Sequence, residues 1–453
     1  VECTIRAPQP HCMGAIPSDI ETDSQPPMTI PLGHFVVGFG FLVLGAAVGV
    51  ASTLGLLTGF VRVAHLHLLL VGWVCVTIMG AMTQFVPVWS GVELHSRRLA
   101  VVQVALVAAG LPGLVGAFLT GAVWLFAPAG TLLLAGLWTF VYNLGRTLAQ
   151  LGTHDVTERH FGLALVFFAL LAPLGAALAV GLTTPFVAAL PVPRGNLVEA
   201  HATLAVFGGV ATTVVGALYQ LATMFTQTEL QGVDVPLQRA ETVAYPVGVM
   251  LLAAGRLLDA RAPATLGGVL VVAGLLVVAG ILGRKLVAAR VEWTPMLTRY
   301  AVVVAAVAVW AGLTLPAWLA DPLGRSSILG PPPAGQVLVL GVVGFVVFGT
   351  LYHVVPFIVW VHRYSDLLGF EPVPMIDDLY DARLAGADAT LLLAGVTCLA
   401  VGAAGGPTPL RFIGAVLFAA GSALFVANMV LVLVRHSPRS LRDIVGLAPD
   451  ADS

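Results

Sequence analysis

Charge is scarce in this chain. Asp, Glu, Lys and Arg make up 10% of 453 residues, against roughly 25% in ordinary soluble domains. Lysine is all but missing, because Lys285 is the only one. A net charge of −2 without a basic cluster excludes a nucleic-acid footprint. The four cysteines show no CxxC spacing, which excludes the usual zinc and iron–sulfur frameworks. Cys75 and Cys398 fall in apolar runs, as small packing residues do. No GxGxxG, P-loop or nucleophile-elbow pattern stands in a suitable context. What is abundant is apolar: 58% of the residues are hydrophobic. Runs of about 20 apolar residues, the length that spans hydrocarbon, recur twelve times. The chain reads as an all-α polytopic membrane protein that needs the lipid bilayer as its partner.

Three stretches share one glycine pattern. They are AHLHLLLVGWVCVTIMGAMTQFVP (Ala64–Pro87), AHATLAVFGGVATTVVGALYQLAT (Ala200–Thr223) and LGVVGFVVFGTLYHVVP (Leu340–Pro356). Gly72, Gly208 and Gly341 lie 136 and then 133 residues apart (208 − 72 and 341 − 208). Gly80, Gly216 and Gly349 follow eight residues later in each case. A long fixed period marks a tandem structural unit, and twelve spans over three units give four helices each. Eight residues are close to two helical turns, so each glycine pair shares one face. Small residues there let helix backbones approach closely.

The loops orient the chain. With twelve spans, 15 of the 21 Lys and Arg residues fall on the side of the two termini. By the positive-inside rule both termini are cytoplasmic, in the cell membrane. Residues 1–28 are expected to be a disordered tail or an extended reading frame, with Met28 a more natural start. Cys3 and Cys12 lie in that tail. Residues 29–442 form one transmembrane domain, and 443–453 a polar C-terminal tail. The segment from His362 to Asp388 reads as an acidic, solvated connector.

His65 and His201 each stand seven residues before the first glycine of their unit. An ionisable residue in a membrane span is a functional candidate, and imidazole is a common metal ligand. His65 and His201 are therefore the candidate metal or cofactor ligands, on the outer half of the membrane. A hydrogen-bonded interfacial histidine is the alternative. His67, two residues on, faces another way. Four residues after the second glycine come Gln84, Gln220 and His353, with Tyr219 and Tyr352 preceding the last two. These suggest a polar layer between helices, or at His353 a ligand or proton relay. His34 and His160 open spans one and five.

Histidines opening spans two and six, in twelve spans of three four-helix units, resemble subunit I of the heme-copper oxidase superfamily. The run from Ala64 to Gly91 is similar to that family's second helix. The resemblance implies three four-helix arcs related by a pseudo-threefold axis. It places His65 as a low-spin heme ligand and His201 where the family holds copper. His201, His67 or the deeper His353 would supply a second axial ligand. The chain departs from the family at span ten, where Ala334, Gly335 and Gln336 replace its ligating histidines. Residues 228–262 also lack the family's histidine pair. The expectation is a divergent, possible oxidoreductase with an incomplete binuclear centre. It would bind heme without copper and carry out electron transfer or small-gas (oxygen or nitric oxide) chemistry, with a redox donor or respiratory-chain subunits as partners. The alternative is a cofactor-free transporter or channel, or a structural subunit of a respiratory complex.

Overall fold

The computed structural model describes residues 26–185 and 187–446. Cys3 and Cys12, most of the N-terminal tail, and residues 447–453 lie outside the described residues. Those described contain no β-strand and twelve long helices. They are α1 (Thr29–Thr53), α2 (Val61–Ser90), α3 (Arg97–Thr120), α4 (Phe126–Leu148), α5 (Val156–Val180) and α6 (Arg194–Thr226). Then follow α7 (Asp234–Leu257), α8 (Arg261–Val287), α9 (Pro295–Ala320), α10 (332–364), α11 (Ala382–Ala403) and α12 (Pro409–His436). A short turn, Leu441–Val445, follows α12 and buries Ile444. Eleven of the long helices are long and apolar enough to cross a membrane. The twelfth, α7, is 24 residues long but carries Asp234, Arg239, Glu241 and Arg256.

Three helices form the centre. The apolar windows of α2, α6 and α10 are 72%, 83% and 89% buried, whereas those of the other crossing helices range from 28% to 56%. Each central helix contains an eight-residue π-helical segment: Leu68–Cys75, Leu204–Ala211 and Val337–Gly344. Their starts are 136 and 133 residues apart (204 − 68 and 337 − 204), the same steps as the glycines. A π segment breaks the ordinary α-helical register and is rare outside special sites.

The glycines explain how each central helix meets the long helix before it. A methyl at Gly72 would lie 2.6 Å from Phe41 Cγ of α1, and one at Gly208 2.8 Å from Phe167 Cγ of α5. At Gly341 the neighbour on α9 is Ala306, and the gap is an ordinary 3.4 Å. Lower down, Gly80 faces His34, Gly216 faces His160 and Gly349 faces Arg299. Gly72→Ala and Gly208→Ala should therefore each destabilise by about 1–3 kcal/mol, the usual cost of overpacking. Gly341→Ala should be close to neutral. Melting midpoints in one detergent would decide; equal losses at all three positions would refute the account.

The pairs α3–α4, α7–α8 and α11–α12 pack even more tightly. Gly136 of α4 comes against the backbone of Gln103, Gly267 of α8 against that of Leu252, and Gly421 of α12 against that of Leu392. Polar clamps fix the entry to the third helix in two of these pairs. Asn143 holds both backbone groups of Ser96, the cap of α3, at 2.9 and 3.0 Å. Asn428 does the same for Asp381, the cap of α11. In the middle unit Lys285 bonds Asp234 at 2.7 Å and the Glu229 carbonyl at 2.5 Å.

Candidate functional site

At the end where both described termini lie, α1 faces α3, α5 faces α7 and α9 faces α11, each through one buried side-chain pair. In the first unit His34 Nδ1–H donates to the Ile30 carbonyl at 2.8 Å. That leaves Nε2 to accept from the Gln103 amide at 3.3 Å. In the second, His160 Nδ1–H donates to the Val156 carbonyl, and Nε2 lies 3.3 Å from Glu241 Oε2. The Tyr219 hydroxyl donates to the same carboxylate at 2.9 Å. In the third, Arg299 pairs with Asp388, to which the Tyr352 hydroxyl also donates. Asn428 donates to that hydroxyl at 3.1 Å. The Arg299 guanidinium lies over the Tyr352 ring, 4.4 Å from its centroid.

All six paired side chains are at most 2% exposed. Their chemistry differs by unit. His34–Gln103 is neutral and Arg299–Asp388 is a fixed ion pair. His160–Glu241 needs one proton between its two groups, carried by the imidazole or by the carboxyl. Of the three, only this pair sets an imidazole against a carboxyl group, two side-chain types that both exchange protons.

Sequence reasoning did not single out Gln103 or Glu241, and it left Asp388 at the end of a solvated loop. The helix instead begins at Ala382, so Asp388 lies more than one turn inside α11 and is 0% exposed. Lys285 lies inside α8 and Glu199 inside α6. Glu199 is held there by Arg325 at 3.1 Å. The available signal was a polar residue one to two turns into the first and third spans of every unit. Loops of unequal length obscured that register.

At the opposite end His65 and His201 occupy matching places. His65 Nδ1–H donates to the Gly45 carbonyl of α1 at 2.9 Å, and His201 Nδ1–H to the Leu171 carbonyl of α5 at 3.2 Å. Their ring edges press on Gly49 and Gly175. In both rings Nδ1 is thus the bonded N–H and Nε2 the free nitrogen, the tautomer of a metal-ligating histidine. His67 turns back to the Val63 carbonyl at 2.8 Å and lies within electrostatic range of His201. Ala334 holds the corresponding place on α10.

The expected polar layer divides. Tyr219 and Tyr352 belong to the carboxylate pairs above. Gln84 is buried with Oε1 unpartnered. His353 lies between the rings of Phe225 and Phe357, at 4.2 and 5.8 Å. Among the described residues no hydrogen bond joins Gln84, Gln220 and His353 to one another.

The donor set can be tested against heme. One axial imidazole is supplied, in the right tautomer. Space for a macrocycle is not. Trp73 of α2, fully buried, packs on Phe348 of α10 at 4.7 Å, and Phe348 on Phe425 of α12 at 4.8 Å. Phe425 meets Phe39 of α1 at 5.7 Å. Beside α6, Phe207 packs on Trp310 and Trp318 at 5.8 and 5.5 Å. The cavity between α2, α6 and α10 holds about 70 Å³, while sites for larger organic ligands occupy roughly 300 Å³ or more. Among the described residues no three His, Cys, Asp or Glu side chains gather as a metal site. These residues do not fit a heme in this packing. No family model matches the chain, and no curated protein matches it significantly.

Proposed function

We propose that this chain is a twelve-span membrane protein on the plan of heme-copper oxidase subunit I, working by proton exchange without a heme. In this reading α7 crosses as the seventh span. It is as long as its neighbours, packs backbone to backbone on α8, and keeps Glu241 and Arg256 buried. The three π segments and the three buried pairs support three units about a pseudo-threefold axis. The Lys and Arg distribution supports cytoplasmic termini in the cell membrane, with the buried pairs on the inner half.

One observation carries the functional part. Of three pairs in equivalent places, only His160–Glu241, with Tyr219, joins an imidazole to a carboxyl group inside the bundle. Ionisable groups held inside membrane bundles commonly serve proton relays and coupled transport. The class of activity is therefore a proton-linked carrier or channel. Reconstituted vesicles under an imposed potential should take up protons, read by an entrapped pH dye, and Glu241→Gln should abolish the excess. Wild-type uptake equal to that of empty vesicles would overturn the proposal.

A second reading rests on the twinned histidines with their free Nε2 atoms. In it His65 or His201 holds a heme after the aromatic rings move aside, and the protein transfers electrons or handles a small gas. A visible spectrum separates the two. The first reading expects no Soret band in purified protein. A stoichiometric band lost in His65→Ala or His201→Ala would establish the second.

A further inference from the structure

The cavity on the central axis is built from equivalent positions of all three units. Ala81 of α2, Ala217 of α6 and Thr350 of α10 line it, each 136 or 133 residues from the next (217 − 81 and 350 − 217). So do Ile78, Val214 and Val347, related by the same steps. Toward the terminus-bearing end it is lined by a row of stacked rings. Phe85 lies on Trp89 at 4.6 Å, and Trp89 on Phe161 at 6.3 Å.

The walls are apolar although three threonines contribute to them. Each hydroxyl has a position away from the axis. Thr213 bonds the Gly209 carbonyl of its own helix at 2.8 Å. Thr350 bonds the Tyr300 hydroxyl of α9 at 2.8 Å. Thr77 Oγ1 lies on the side of α1, 3.1 Å from where a Gly38 methyl would stand. Thr77 Oγ1 has no hydrogen-bond partner of its own, so a water here would find at most one free hydroxyl, short of the two to four polar partners it requires. The volume is about 70 Å³, several times the roughly 10–15 Å³ that one water needs and about half of an engineered cavity that takes benzene or xenon. Ala81 and Ala217 stay half-buried at the centre of the bundle because their methyls border this void. Larger side chains at these positions would fill it and recover dispersion contacts that a void forfeits.

We propose that this axial cavity is a binding site for one small apolar molecule of the size of dioxygen, nitric oxide or xenon. Such molecules concentrate in hydrocarbon and need no polar partner. The site is separate from His160–Glu241 and does not rest on proton exchange.

Xenon is the probe. The purified full chain in detergent should show one saturable xenon site by ¹²⁹Xe exchange NMR. Ala217→Leu should remove it, and so should Ala81→Leu from the facing helix. Val243→Leu, at a position 65% exposed on α7, should leave it unchanged. Size-exclusion elution identifies a folded variant. Absence of saturable xenon in the wild type would overturn the proposal, as would a signal that persists in either folded cavity variant. Should both variants misfold, xenon-pressurised diffraction of the wild type decides. Density between Ala81, Ala217 and Thr350 supports the site, and density only elsewhere, or an acyl chain in its place, refutes it.

Discussion

Asp388→Ala should destabilise the protein by about 3–5 kcal/mol, the usual effect of removing one partner from a buried ion pair. Arg299 is 1% exposed and would keep its charge, because a guanidinium does not deprotonate in proteins. Its remaining contacts, the carbonyls of Pro295 and Ala385 and the face of the Tyr352 ring, do not neutralise it. Arg299→Ala should cost less, about 1–3 kcal/mol for lost hydrogen bonding. The carboxyl left behind can take up a proton and keep the Tyr352 bond. Gln103→Leu, which breaks a neutral pair, belongs in the same lower range. The order is therefore Asp388→Ala well below the other two, with part of the loss recovered in the double variant lacking both charges. Melting midpoints and the yield of monodisperse protein measure it. Equal losses for the two single variants would show that the pair is not the buried charge device described above.

Gly267→Ala should be comparably damaging for a different reason. A methyl there would stand 2.3 Å from the Leu252 backbone nitrogen and 2.6 Å from the Gly248 carbonyl oxygen. Neither atom can turn aside as a side chain does, so α7 and α8 must separate along their length. Gly280→Ala in the same helix meets nothing within 4 Å and should be neutral or slightly stabilising, since alanine favours helix over glycine. The same chemical change at two places in α8 should thus give folded protein in one case and little in the other. Similar yields would mean that the helices have slack that their spacing denies.

The contrast between these positions shows what was legible in the sequence. Membrane helices and their central glycines could be read directly, because length and apolar composition decide the former and period the latter. Gly72 and Gly208 stood out as repeated, and both turn out to touch the first helix of their unit. Gly267 did not stand out, because its partner is a backbone and leaves no mark on composition. The twinned histidines were visible for the same reason of period, yet their rings are turned onto glycines of α1 and α5. The polar pairs were the larger omission. His34 and His160 are equivalent in space and alike in type, but Arg299 breaks the identity, and Gln103, Glu241 and Asp388 all differ. A pattern search needs identity or regular spacing through all three places, and these six offer neither. Asp388 was further disguised by the acidic segment before it.

The buried pairs also bear on how the chain is made. Each joins residues far apart in the order of synthesis: 69 residues for His34 and Gln103, 81 for His160 and Glu241, and 89 for Arg299 and Asp388. The first helix of every unit therefore leaves the ribosome carrying a polar group whose partner does not yet exist. For His34 and His160 the interim is tolerable, because neutral imidazole is available. For α9 it is not, since an unmatched arginine opposes insertion by about 2.5–3.5 kcal/mol at a helix centre and less near its end. The last unit can settle into lipid only when α11 arrives, which makes the glycine-locked hairpin of α11 and α12 the closing piece of biogenesis.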